Sequence, residues 1–301
     1  MSRGYKELDV PVDGGTLHVG RWGGGLSRGS DGPLVLAVHG VTANHLAWAA
    51  VARHSSYDIV APDLRGRGRS NAITTPAGMR AHADDLLAVL DHLDAEQALV
   101  VGHSMGAFVA ATIAAEHPER TAAVLLVDGG LSLAPPPPEL TPEQVIAAVI
   151  GPAAQRLSMT FADTAAYLDF WRRHPAVGPY WSHDLEEYFA YDLVGDPPEL
   201  RSSVSLQAVR EDSADLLDVD AVDARIGKLP EGTIFLRAEN GMMGDPGGLY
   251  PADLARQHAA TYPNLDVRDV ADVNHYTLVM GDDGAAVVAE AISETATGAS
   301  G

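Results

Sequence analysis

Apolar and polar residues alternate at the start of the chain, then give way to continuous apolar runs. Leu8-Asp9-Val10-Pro11-Val12 and Thr16-Leu17-His18-Val19-Gly20 alternate around Asp13-Gly14-Gly15. This predicts a hairpin with one solvated face. Leu34-Val35-Leu36-Ala37-Val38 is apolar throughout, as in a strand covered on both faces. Tyr57-Asp58-Ile59-Val60-Ala61 predicts the next strand. Over 76–93, Met79, Ala83, Leu86, Leu90 and Leu93 form one stripe at helical spacing. The runs Ala98-Leu99-Val100-Val101 and Ala122-Ala123-Val124-Leu125-Leu126-Val127 flank an apolar helix former over 107–115. Later come a strand at Thr233-Ile234-Phe235-Leu236, a helix over 251–261, a strand at Leu265-Asp266-Val267-Arg268-Asp269-Val270 and a last helix over 284–292. Strands alternating with helices predict an α/β fold: a mostly parallel sheet with helices on both faces.

One stretch breaks the alternation. Residues 131–226 hold several helical patterns and no convincing strand. Ala134-Pro135-Pro136-Pro137-Pro138 makes a stiff exit from the sheet. Thr141-Pro142-Glu143-Gln144 reads as a helix start, and 23–32 as a Gly-rich turn. The expected organisation is a core of 1–130 and 227–301 with 131–226 inserted as a helical cap. The cap is dense in aromatics: Phe161, Tyr167, Phe170, Trp171, Tyr180, Trp181, Tyr188, Phe189 and Tyr191. Most should pack cap against core, and a few should roof a pocket.

Composition narrows the partners. The chain has 301 residues, 46% of them hydrophobic, which suffices for one large core plus a lid. Acidic residues number 41 against 20 basic ones, a formal charge of −21. Such a charge repels phosphate backbones and anionic lipid, so neither nucleic acid nor a membrane surface is an expected partner. Cysteine is absent, which removes thiolate and disulfide chemistry. The segment Met1-Ser2-Arg3-Gly4-Tyr5-Lys6-Glu7 has no apolar core of a signal peptide, and the longest apolar stretch, 98–115, is broken by His103, Ser104 and glycines. A cytoplasmic location is therefore expected, and nothing in the chain excludes a homodimer.

The candidate chemistry centres on Gly102-His103-Ser104-Met105-Gly106. This G-x-S-x-G lies between an apolar strand and an apolar helix, the context of a nucleophile elbow. The glycines suit a tight turn, and the serine is presented at a helix N-terminus that favours negative charge. Val38-His39-Gly40-Val41-Thr42 follows the first buried strand. Pro62-Asp63-Leu64-Arg65-Gly66-Arg67-Gly68-Arg69-Ser70 carries D-x-R-G-x-G-x-S. Asp272-Val273-Asn274-His275-Tyr276 follows the last strand. In this order and spacing the chain resembles an α/β-hydrolase over nearly its whole length except the cap. The resemblance implies an eight-stranded, mostly parallel sheet.

It also implies roles. Ser104 would be the nucleophile, activated by His275 as base and later acid. The backbone N–H groups of Val41 and Met105 would form the oxyanion hole. His39 would buttress its loop, and His103 would point away around the turn and pack. The acid is less obvious, because the usual position after the post-cap strand falls on Gly241. Asp128, after the strand beside the elbow strand, ranks first because a strand end is held rigidly. Asp245 and Glu239 are the alternatives.

Epoxide hydrolases and haloalkane dehalogenases of this fold carry Asp at the elbow, so a serine disfavours both. The leading expectation is hydrolysis of an ester or lactone of a small, largely apolar substrate through an acyl-enzyme. Trp48, Trp171, Trp181, Tyr180, Met105, Met242 and Met243 are candidate pocket walls. C–C bond hydrolysis, thioester or amide hydrolysis, and a ligand receptor or non-hydrolytic cyclase are the alternatives. No metal motif such as H-E-x-x-H and no dinucleotide fingerprint is present, so no cofactor is expected.

Overall fold

The computed structural model describes residues 4–23, 32–134, 139, 144 and 155–298. The proline run at 135–138, the helix start at 141–143 and most of the Gly-rich turn, 24–31, lie outside the described residues. The strands are β1 (Lys6–Val12), β2 (Gly15–Trp22), β3 (Leu34–Val38), β4 (Ile59–Pro62), β5 (Ala98–His103), β6 (Thr121–Val127), β7 (Leu193–Val194), β8 (Arg201–Ser202), β9 (Thr233–Asn240) and β10 (Leu265–Asn274). The helices are α1 (Ala49–His54), α2 (Met79–His92), α3 (Met105–Glu116), α4 (Thr164–Arg172), α5 (His183–Tyr191), α6 (Leu206–Leu216), α7 (Val219–Ile226), α8 (Ala252–Thr261), α9 (Thr277–Met280) and α10 (Asp282–Gly298).

Eight strands form one sheet in the order β1-β2-β4-β3-β5-β6-β9-β10. Only β2 runs against its neighbours; the other pairings are parallel. The continuous apolar runs explain this burial. Val35 and Ala37 face one apolar cluster with α1 and α10, while Leu36 and Val38 face another with α2, α3 and α7. α3 is buried at every position from Met105 to Ala114, as its all-round apolar sequence requires. Each fully buried Leu, Ile or Phe contributes about 1.5–3 kcal/mol. The chain steps from β3 to β4 on one side, then to β5 on the other. This reversal opens a crevice at the carboxyl ends of β3 and β5, where open α/β sheets bind ligands.

Two expectations are corrected. The hairpin forms in the predicted register, but β2 has no solvated face over Leu17, His18, Val19 and Gly20, which are all buried. His45 and Tyr191, distant in sequence, lie against His18 with ring centroids at 5.5 and 6.4 Å. Alternation records polarity, and cannot show what a remote segment later covers. Within 131–226, α4 to α7 agree with the helical reading, but β7 and β8 form a short antiparallel ribbon that the pattern did not reveal.

Phe161, Tyr167, Trp171, Tyr188 and Phe189 pack into the cluster that also holds α1 and α10. The Trp171 and Phe189 rings stack at 4.2 Å, worth about 0.5–1.5 kcal/mol beyond burial. Among the described residues no helix is long and apolar enough to cross a membrane.

Candidate active site

Ser104 sits between the last residue of β5 and the first of α3 with φ 55° and ψ −126°, a left-handed backbone rare for a residue with a side chain. Its N–H donates to the Val127 carbonyl at 3.0 Å, and its carbonyl accepts from the Ala107 N–H at 3.0 Å. Two glycines make the turn feasible. A Cβ on Gly102 would lie 2.1 Å from the Gly106 carbonyl oxygen, and one on Gly106 would lie 2.1 Å from the Val38 carbonyl oxygen. The strained turn thus holds the hydroxyl above the strand end, at a helix N-terminus.

His275 follows β10 and is buried. Its Nδ1 lies 2.7 Å from Asp128 Oδ2. Asp128 directly follows β6, is fully buried, and has φ 44°. Its N–H donates to the Leu236 carbonyl at 2.8 Å, and its Oδ1 accepts from the Ala238 N–H at 3.1 Å. An ionised carboxylate only accepts, so the proton of the imidazole sits on Nδ1 and Nε2 keeps its lone pair. Asn274 fixes the turn: its Oδ1 accepts from the Tyr276 and Thr277 N–H groups at 3.0 Å each, and its Nδ2 donates to the Ala176 carbonyl at 3.0 Å. Sequence reading passed over Asn274, although Asn ahead of a short helix is a capping signal. Ser104 Oγ and His275 are not hydrogen-bonded; such bonds often close only with substrate present.

The other candidate acids lie elsewhere. Glu239 is exposed and accepts from the Asp272 N–H at 2.9 Å. Asp245 is exposed in the turn where its carbonyl accepts from the Gly241 N–H at 2.8 Å. Neither bonds to His275.

The expectation for His103 is corrected. Its ring does not turn away; it lies 4.6 Å from the His275 ring and its Nε2–H donates to the His275 carbonyl at 2.9 Å. Burial, and then the neighbouring His275, push the His103 pKa well below its ordinary value, so it stays neutral beside the His275 ring.

The loop after β3 is held from two sides. His39 Nε2 accepts from the Leu64 N–H at 3.0 Å, so its Nδ1–H donates to the Gly40 carbonyl at 2.8 Å. Burial lowers its pKa to about 4. Because the carbonyl and N–H of one peptide point oppositely, this bond aims the Val41 N–H away from His39. A Cβ on Gly40 would stand 3.1 Å from Ser104 Cβ, so the loop approaches the elbow closely. On the next peptide, fully buried Arg67 donates Nε–H to the Val41 carbonyl at 3.0 Å and pairs with Asp212 of α6. Asp212 also accepts from the Gly78 N–H at 2.8 Å and from His82 Nε2–H at 2.9 Å. The Met105 N–H, at the first turn of α3, has no intrahelical partner.

Arg67→Met leaves Asp212 buried without its cation. It is expected to destabilise the fold by about 3–5 kcal/mol, read as a lower urea midpoint at unchanged slope.

The pocket-wall candidates scatter. Trp48 is fully buried in the core at the start of α1. Tyr180 and Met243 are 49% and 42% exposed, and Met242 packs half-buried on the opposite face of the sheet from Trp48. Trp181 lies under the Arg172 guanidinium at 4.7 Å. Met105 follows Ser104 directly and is buried, and of the aromatic candidates Trp171 approaches the site: its ring centroid is 6.5 Å from Tyr276, the neighbour of His275. Sequence supplied residue type but not facing.

A mostly parallel sheet with Ser104 and Asp128 after its central strands β5 and β6, and His275 after its edge strand β10, defines a doubly wound α/β protein whose candidate site lies at the carboxyl ends of the strands. Residues 33–208 match the alpha/beta hydrolase fold family, and the chain belongs to it. It is 40% identical over 119 residues to lipase LipV of Mycobacterium tuberculosis, covering 39% of this chain and 43% of that one. It is 41% identical over 103 residues to epoxide hydrolase B of the same species, covering 31% and 28%. The chain thus spans less than half the length of these curated relatives. E-2-(acetamidomethylene)succinate hydrolase superposes with a TM-score of 0.75 at 21% identity, over 97% of this chain and 98% of that one, a likeness of fold.

Proposed function

We propose that the protein is a serine hydrolase that cleaves a carboxylic ester or lactone of a small, largely apolar substrate. The carrying observation is the buried His275–Asp128 bond beside the strained Ser104 elbow. Ser104 Oγ adds to the carbonyl carbon while His275 Nε2 takes its proton. The oxyanion is held by the Val41 and Met105 N–H groups. Collapse expels the alcohol, protonated by His275, and leaves an acyl-serine. Water then adds, giving its proton to His275, and His275 returns that proton to Ser104 Oγ as the bond to the acyl carbon breaks and the acid leaves. Neutral His103 does not take the proton from His275.

Residues 131–226 serve as the cap in this reading. Its described part crosses the strand ends: Arg156 donates to the Thr42 carbonyl at 2.7 Å, Asp212 holds Arg67, and Ala176 accepts from Asn274. The lipase relative agrees with ester cleavage. The epoxide hydrolase relative does not transfer, because the elbow residue here is serine rather than aspartate.

The test is a stopped-flow assay with p-nitrophenyl acetate and butyrate. A burst of p-nitrophenol near one equivalent per chain is expected, with fluorophosphonate labelling of Ser104. No burst, no turnover and no label would reject the hydrolase and leave the receptor reading.

A further inference from the structure

Away from the elbow, the hairpin and the loop after β3 bring together donors that no sequence motif joins. We propose that Glu7, His18 and His45 form a binding site for a divalent transition metal of the zinc type, with the Tyr5 hydroxyl beside them as a further oxygen. One ligand atom from each of the three residues lies within 4.8 Å of the others.

The backbone explains the gathering. In the β1–β2 register Glu7 pairs with Gly20 and Asp9 with His18, so Glu7, Asp9 and His18 share one face. Gly20 has no side chain there, and His45 occupies the space: a Cβ on Gly20 would lie 2.3 Å from His45 Cδ2.

Both imidazoles are presented as metal ligands are. His18 Nδ1 lies 3.1 Å from Asp9 Oδ1, and His45 Nδ1 lies 2.9 Å from Asp63 Oδ1. A carboxylate on Nδ1 fixes the proton there and turns the Nε2 lone pair outward, the usual support of a ligating histidine. Asp63 is itself locked by the His45 and Arg69 N–H groups and by the Tyr191 hydroxyl. His18 Nε2 lies 3.8 Å from Glu7 Oε2. Tyr5 OH lies 2.8 Å from His45 Nε2 and 3.0 Å from Glu7 Oε1.

The decisive atom is His18 Nε2. His18 is only 8% exposed, and this nitrogen is buried without a hydrogen-bond partner. An orphaned buried acceptor is costly to leave unmet, and a metal would satisfy it. Two imidazoles and a carboxylate select zinc-type ions over calcium or magnesium, which take oxygen ligands. Closing to a tetrahedral zinc needs ligand separations of roughly 3.4 Å, an inward shift of about 1 Å. A cavity of about 440 Å³ lined by Tyr5, Glu7, Trp22 and Tyr191 opens beside the Tyr5 and Glu7 oxygens.

Such an ion would clamp both hairpin strands to the loop that also carries Val41. The site is independent of the hydrolase reading, and its readout is metal binding and melting rather than turnover. The experiment uses the untagged full chain, stripped with EDTA and dialysed. Zinc chloride alone should bind at one equivalent per chain by calorimetry. At zinc well above its Kd it should raise Tm by about 5 °C or more. Cobalt(II) should give the visible absorption of a low-coordinate site. Glu7→Gln, at an exposed position, should weaken zinc at least tenfold, and His18→Asn should abolish the Tm rise. His183→Ala, at a surface histidine, should leave binding unchanged. Lack of stoichiometric zinc in the wild type, or full zinc uptake by Glu7→Gln, would overturn the proposal even if His18→Asn fails to fold.

Discussion

Ser104→Ala is expected to lower kcat/KM for p-nitrophenyl butyrate by about four to six orders of magnitude, and His275→Gln by a similar factor. In the proposed mechanism the hydroxyl supplies the bond-forming atom, and the imidazole that Asp128 orients supplies the base. The two act as a unit, so the double variant should be scarcely slower than either single one. Residual activity of roughly 10³-fold over water should persist, because the Val41 and Met105 N–H groups belong to the backbone and survive both substitutions. Ser104→Ala should keep wild-type stability to within about 1 kcal/mol, read from the urea midpoint at unchanged slope, since Ser104 Oγ carries no structural hydrogen bond. Ser104→Ala retaining a tenth of wild-type activity would reject the acyl-enzyme. A double variant whose loss equals the product of the two single losses would mean that the residues work separately.

The sheet was legible because its strands are apolar on both faces and its turns are marked by glycine. β3, β5 and β6 are continuous runs, and the elbow's glycines sit where any Cβ would strike backbone. Legibility failed where remote segments meet. His18 reads as the polar member of an alternating strand, yet His45 and Tyr191 cover it. Glu7, His18 and His45 have no motif spacing, because three separate elements carry them. Trp48 looks like a pocket aromatic by composition, but its position at the start of α1 turns it into the core. His103 is adjacent to the elbow in sequence; only the turn's geometry shows that its ring lies against His275.

The acid is the sharper test of how such a site is assembled. Asp128→Asn keeps the size of the side chain but replaces an acceptor-only group with one that can donate. An amide nitrogen facing His275 favours the imidazole tautomer whose Nε2 carries the proton, and that tautomer cannot accept one from Ser104. The expected loss in kcat is about 10⁴-fold with KM little changed, because substrate does not touch Asp128. Asp245→Asn and Glu239→Gln should stay within about twofold of wild type, since both side chains are exposed and neither reaches His275. Steady-state kinetics of the three variants on one ester separate the possibilities. Near-normal kcat in Asp128→Asn with a collapse in Asp245→Asn would mean that the loop at 241–245 folds inward when substrate binds. The existing contacts argue against that outcome. Asp128 is already held by the Leu236 and Ala238 backbone, so no rearrangement is needed to bring a carboxylate to Nδ1.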